Sequence, residues 1–254
     1  MVAESAPQLV AHRGYSARYP ENTLLSLEQA LAAGACFMEC DVHLTRDKVP
    51  VVLHDHQLQR TTGRSGDILQ LDHQQLFSFD AAYAKRFGDQ FHDVPIPDLV
   101  QLVDLMGQWP QRRVFVELKR ASIRHFGGEV VLSAVLEVLQ PVMDQVILIS
   151  FDADIIALAQ QRGVQQTGWV TEHWASSVME TARRLQPDYI FVDSECLPGD
   201  MASLPDTSWR WVIYEIDDAE TARRWTEKGA DLIETNDIGG LLAAPYFRGG
   251  RCDD

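Results

Sequence analysis

The sequence predicts an α/β fold closed into a (β/α)8 barrel, and two observations carry that reading. Short runs rich in apolar and β-branched residues alternate with helical patterns along all 254 residues. With one run set aside as a hairpin partner, eight strand–helix units remain, and eight units in this length suit closure better than an open doubly wound sheet. No Gly-rich linker or break in composition divides the chain, so one domain over 1–254 is expected.

The elements follow in order. "QLVAHR" (8–13) reads as the first strand, and the helix through "TLLSLEQALAAG" should stop at Gly34. "CFMECDVHL" (36–44) is the second strand, joined through "TRDK" to its hairpin partner "VPVVLHD" (49–55). Residues 56–111 mix turn signals with at least two helical patterns, "PDLVQLVDLM" among them. The remaining strands are "RVFVELK" (113–119), "QVILISFD" (145–152), "QQTGWV" (165–170), "DYIFVDS" (188–194), "RWVIYEI" (210–216) and "ADLIET" (230–235). Helices such as "ADIIALAQQRG" and "AETARRWTEKG" are expected between each pair.

Composition narrows the function. At 46% hydrophobic and 23% charged the chain is ordinary for a globular protein. No apolar run approaches the roughly 20 residues that span a bilayer, and "MVAESAPQLV" lacks the basic and apolar regions of a signal peptide. No stable membrane anchor is expected. A net charge of −15 argues against a nucleic-acid partner and repels anionic ligands, so a phosphate site would rest on local cations. Cys36, Cys40, Cys196 and Cys252 show no CxxC spacing and no short disulfide framework, which points to a reduced, cytoplasmic protein.

Chemistry in a barrel gathers at the C-terminal strand ends. Here those ends carry His12 and Arg13, Glu39 and Asp41, Glu117 and Lys119, Asp152, Glu172, Asp193, Glu215 and Glu234. Strand alternation puts Phe37, Glu39 and Asp41 on one face and Met38 and Cys40 on the other. Glu117 and Lys119 likewise share a face. Three carboxylates from two adjacent strands suit a hard divalent cation, Mg2+ or Ca2+, rather than zinc. Strand-end ion pairs with Lys119 and Arg13 account for the same residues equally well. A lone His54 reads more readily as a surface histidine than a catalyst, and His54 with His56 is a weak metal pattern. In "PENT", Asn22 or Thr23 caps the next helix and Pro20 fixes its entry. Glu172, Asp193 and Glu215 read as structural. "LFSFDAAYAKRF" reads as a helix packing Phe77, Phe79 and Tyr83 on the barrel.

The ordered set "AHRG", "PENT", "ECDVHLTRD", "VPVVLHD", "LQRTTG", "IPDLVQLVDL", "VELK", "ISFD" and "GADLIETND" resembles the glycerophosphodiester phosphodiesterases over nearly the whole chain. The resemblance implies a TIM barrel with a segment inserted after the second strand, within 56–111. It also implies metal-dependent hydrolysis of glycerophosphodiesters to sn-glycerol 3-phosphate and an alcohol, through attack by a glycerol hydroxyl and a cyclic phosphate. By matching motifs, His12 and His54 correspond to the acid/base pair, and Glu39, Asp41 and Glu117 to the ligands of Mg2+ or Ca2+. Arg13 and Lys119 correspond to phosphate contacts. One departure stands out: where the family usually carries a Trp-Thr-Val-Asn-like run, this chain has "YEID", with Tyr214, Glu215 and Asp217. Rival readings are a lysophospholipase D-type phosphodiesterase, which would want an apolar channel, and a barrel that binds a phosphorylated ligand without catalysis.

Overall fold

A computed structural model describes residues 7–252. The first six residues, part of the stretch without a signal-peptide pattern, lie outside the described residues. The first half of the barrel comprises β1 (Gln8–Ala11), α1 (Leu24–Ala32), β2 (Phe37–Leu44), the short β3 (Pro50–Val52) and α2 (Gln59–Thr62). Then come α3 (His73–Leu76), α4 (Ala84–Phe87), α5 (Leu99–Gly107), β4 (Arg113–Leu118), α6 (Arg120–Phe126) and α7 (Gly128–Leu139). The second half runs through β5 (Val146–Ser150), α8 (Ala153–Gln161), β6 (Thr167–Thr171), α9 (Ser176–Leu185) and β7 (Tyr189–Asp193). It closes with β8 (Arg210–Tyr214), α10 (Ala219–Glu227), β9 (Leu232–Thr235) and α11 (Ile238–Ala243).

Eight of these strands are parallel neighbours in the order β1-β9-β8-β7-β6-β5-β4-β2, and the β1–β2 pairing closes the ring. β3 pairs antiparallel with β2 through Val42↔Val52 and Leu44↔Pro50, as the hairpin reading expects. Parallel strands covered on both faces read as near-continuous apolar runs, which is why all eight show in the sequence. Their alternation divides the core. Val10, Phe37, Phe115, Ile147, Tyr189, Phe191 and Val212 fill the barrel interior, while Leu9, Met38, Cys40, Val116, Leu148 and Ile190 pack outward against the helices. Gly168 on β6 is a place where the interior needs a missing side chain. A Cβ there would sit 2.9 Å from Ile149 and 3.2 Å from the Tyr189 side chain.

Three expectations fail. Between β7 and β8 the described residues form no α-helix, only a 3-10 turn over Ser194–Cys196 and a loop. Pro198, Gly199 and Pro205 break any helical run there. The segment 76–87 is not one helix either: it breaks between α3 and α4, leaving Phe77 70% exposed while Phe79 is buried. Phe79 packs not on the barrel but into a small separate core with Val51, Leu53, Leu58, Ile68, Val94 and Ile96. Finally, the reduced-cysteine expectation is overturned by a Cys36–Cys252 disulfide, with Cα atoms 5.1 Å apart across 216 residues of sequence. Spacing says nothing about cysteines that distant. Cys40 and Cys196 are free.

Candidate active site

The site begins with a tight turn. After β1 the chain passes through two left-handed residues, Arg13 (φ 55°) and Gly14 (φ 81°). Gly14 admits no side chain, because a Cβ would lie 2.5 Å from the Ser26 hydroxyl and 2.6 Å from its backbone. The turn aims the Arg13 N–H at Glu39, donating to Oε2 at 3.0 Å. It also brings the Arg13 guanidinium to Glu21 Oε1 (2.9 Å) and Asp41 Oδ2 (3.3 Å). Thr23 caps α1 as expected, its hydroxyl accepting from the Ser26 N–H. Asn22 does not cap: its side-chain amide donates to Asp41 Oδ2 (2.7 Å) and its carbonyl accepts from the Asp41 N–H (3.1 Å).

Glu39, Asp41 and Glu117 converge, each offering an oxygen within 4.8 Å of the others, and all are buried. β2–β4 register sets Asp41 directly beside Glu117. Two carboxylates in that position repel, and Lys119 answers with Nζ 3.0 Å from Asp41 and 2.9 Å from Glu117. Charge then sorts the three acids. Burial opposes ionisation of Asp41, but Lys119 and Arg13 beside it hold its carboxyl well below the usual range. Burial and the neighbouring Asp41, Glu234 and Glu117 carboxylates push Glu39 up, and burial pushes Glu117 up despite Lys119. This donor set fits a hard divalent cation. All three groups are carboxylates, and their 4.8 Å span matches the oxygen separations around an ion coordinated at roughly 2.0–2.6 Å. His56 stands apart from this set, its Nδ1 3.3 Å from Asp67.

The two histidines are held from behind. His12 lies 8% exposed with Nδ1 3.2 Å from Asn236 Oδ1 and 3.5 Å from Glu215, and Nε2 4.0 Å from Glu39. Burial, helped by the adjacent Arg13 charge, lowers its pKa to about 3. His54 follows β3, with Nδ1 2.6 Å from Asp55. Its backbone carbonyl is hydrogen-bonded by buried His43, which is also bonded to Ser122. Arg60 ties this arm to the first turn, donating to Asp55 (2.5 Å) and to both oxygens of Glu21 (2.8 Å each). An unbroken polar chain therefore runs His54–Asp55–Arg60–Glu21–Arg13–Asp41. Burial works against the Glu21 charge, but Arg60 and Arg13 prevail and lower its pKa to about 2.

His12, Arg13, Glu39, His54, Glu117 and Lys119 line one cavity of about 220 Å³, together with Phe151, Tyr214, Glu215 and Glu234. The other strand-end acids serve the fold: Asp152 caps α8, Asp193 caps the 3-10 turn after β7, and Glu172 pairs with Arg120. Asn22, Asp55, Arg60, His43 and Asn236 were not singled out for this site from sequence. Only the motif "LQRTTG" hinted at Arg60, because its partners are 5 and 39 residues away.

These features define a class: a (β/α)8 barrel with a group of carboxylates at its C-terminal mouth that could hold a metal ion. The chain belongs to the glycerophosphoryl diester phosphodiesterase family, whose model matches residues 12–164. It is 34% identical over 151 residues to a glycerophosphodiester phosphodiesterase of Bacillus altitudinis, covering 59% of this chain and 60% of that one. A second glycerophosphodiester phosphodiesterase, from Caldanaerobacter subterraneus subsp. tengcongensis, is 28% identical over 236 residues, 90% of this chain and 93% of the relative. Among solved structures, an Oleispira antarctica phosphodiesterase in complex with the product sn-glycerol-3-phosphate superposes with a TM-score of 0.81 at 24% identity, covering 94% and 96% of the two chains. A glycerophosphodiester phosphodiesterase from Agrobacterium tumefaciens gives 0.73 at 22%, covering 94% and 100%. The matches to the first two curated relatives span 60% of their length.

Proposed function

We propose that the chain hydrolyses glycerophosphodiesters to sn-glycerol 3-phosphate and an alcohol, the barrel and its inserted segment acting as one domain. The observation that carries this reading is the convergence of Glu39, Asp41 and Glu117 in the cavity that His12 and His54 also line. A divalent ion held by the three carboxylates supplies positive charge toward the phosphoryl group when bound. The chain's own residues do the rest. Lys119 has three N–H donors and spends two on Asp41 and Glu117, leaving one for a phosphoryl oxygen. Arg13, fixed by Glu21 and Asp41, adds a second cation that needs no rearrangement as negative charge builds on the phosphoryl oxygens.

The histidines move the protons. Each has Nδ1 occupied by a side-chain oxygen, Asn236 for His12 and Asp55 for His54, so each presents Nε2 to the reaction. One takes the proton of the attacking hydroxyl and the other returns a proton to the leaving alkoxide. A metal-dependent barrel that only binds phosphate would not need two imidazoles oriented in this way. The test is release of sn-glycerol 3-phosphate from glycerophosphodiesters in Mg2+ or Ca2+ by a coupled assay, with a lysophospholipid alongside. Turnover of the lysophospholipid alone would replace this reading with a lysophospholipase D-type one.

A further inference from the structure

The mouth holds one buried carboxyl that the proposed mechanism leaves idle. Glu234, at the end of β9, is 3% exposed, lines the same cavity as His12 and His54, and its Oε1 has no hydrogen-bond partner among the described residues. A buried carboxylate oxygen without a donor costs free energy unless something enters to satisfy it. It lies outside the group of converging metal-type ligands. Beside it stand Tyr214, the last residue of β8, and the half-exposed Glu215 that follows it.

Charge says what should enter. Five carboxyls, Glu39, Asp41, Glu117, Glu215 and Glu234, share the mouth with Arg13 and Lys119, and burial with this crowding pushes Glu39, Glu117 and Glu234 up. With a divalent ion and a phosphodiester monoanion in place, the positive charge still falls short of five carboxylates. A cationic substituent on that diester relieves the excess, and one bearing N–H donors also satisfies Glu234. Phe151, Phe191, Val170 and Ile149 in the same cavity offer apolar surface for a short alkyl stem.

We propose that Glu234, with Glu215 and Tyr214, forms a head-group subsite for a primary alkylammonium, as in an ethanolamine ester, and so sets substrate preference. This rests on the hydrolytic reading above. The experiment compares kcat/KM of the wild type and Glu234→Gln, metal-saturated, on the ethanolamine, choline and glycerol esters of sn-glycerol 3-phosphate. The ethanolamine ester should lose about tenfold, mainly through KM, the choline ester less and the glycerol ester least. Glu215→Gln should shift the same ratio by a smaller factor, because its carboxylate is wetter; should Glu234→Gln not fold, an unchanged ratio in Glu215→Gln overturns the subsite.

An equal loss on all three esters also overturns it, since Glu234 would then hold the shared glyceryl part or the fold. If the wild type turns over none of them, the hydrolytic reading falls, and ligand-observed NMR with ethanolammonium decides the subsite alone. Saturation transfer in the wild type that Glu234→Gln abolishes supports it; equal transfer, or none in the wild type, overturns it.

Discussion

The two sides of the barrel mouth solve the same electrostatic problem differently. On the β1–β2–β4 side the crowded acids have local cations: Lys119 bridges Asp41 and Glu117, and Arg13 joins Glu21 to Asp41. On the β8–β9 side, among the described residues, Glu215 meets His12 and Asn236 but no Lys or Arg, and Glu234 has an orphaned oxygen. The first side is preorganised, as the proposed holding of phosphate and ion requires. The second is left incomplete by the protein, which is how a surface that recognises a variable group differs from one that does chemistry.

Breaking the first side should give the largest effects. Removal of divalent ions with a chelator is expected to abolish turnover, and full activity in chelator would remove Glu39, Asp41 and Glu117 from the ligand role. His12→Ala and His54→Ala should each lower kcat by about 10²–10⁴ with far-ultraviolet circular dichroism unchanged; a loss under about tenfold would leave that imidazole without a proton-transfer role.

The Glu21 clamp sharpens the comparison through stability. Its pKa of about 2 in the folded state lies below the ordinary 4.5, so the unfolded chain takes up the proton first as pH falls. The clamp's contribution, about 3 kcal/mol, is therefore complete above pH 4.5 and lost between there and about 2. Urea midpoints measured from pH 6 to 3 should fall for the wild type and much less for Glu21→Gln, and parallel curves would refute the clamp.

Arg60→Ala should lower kcat about 10- to 100-fold while KM moves little, because it orients His54 through Asp55 without lining the cavity. Partial rescue by added guanidinium, with the acid limb of the pH–rate profile shifted in the variant, checks this. The smallest effect belongs to Phe77→Ser. At 70% exposure its replacement should change the unfolding free energy by less than about 0.5 kcal/mol.

How much of this could be read in advance follows from how local each signal is. Strands buried on both faces announce themselves by apolar runs, and the period of two already placed Glu39 with Asp41, and Glu117 with Lys119, on a shared face of their strands. The capping Thr23 was legible, yet Asn22 was not, since the same side chain that caps a helix can equally bridge to Asp41. Arg60 and Glu21 meet across 39 residues, and Cys36 meets Cys252 across 216; only folding juxtaposes them. Phe77 and Phe79 sit two residues apart in one aromatic run with opposite fates, because the helix that would have placed both does not form.

His12 extends directly from a stave of the barrel, whereas His54 rides on a hairpin braced by the small core of Leu58, Ile68, Phe79 and Ile96. That appended core thus acts as an adjusting screw for one of the two proposed proton carriers. Trimming Phe79 would loosen the aim of His54 while the barrel itself stayed intact, so substitutions well away from the reacting atoms can tune the rate without touching a single group that meets the substrate.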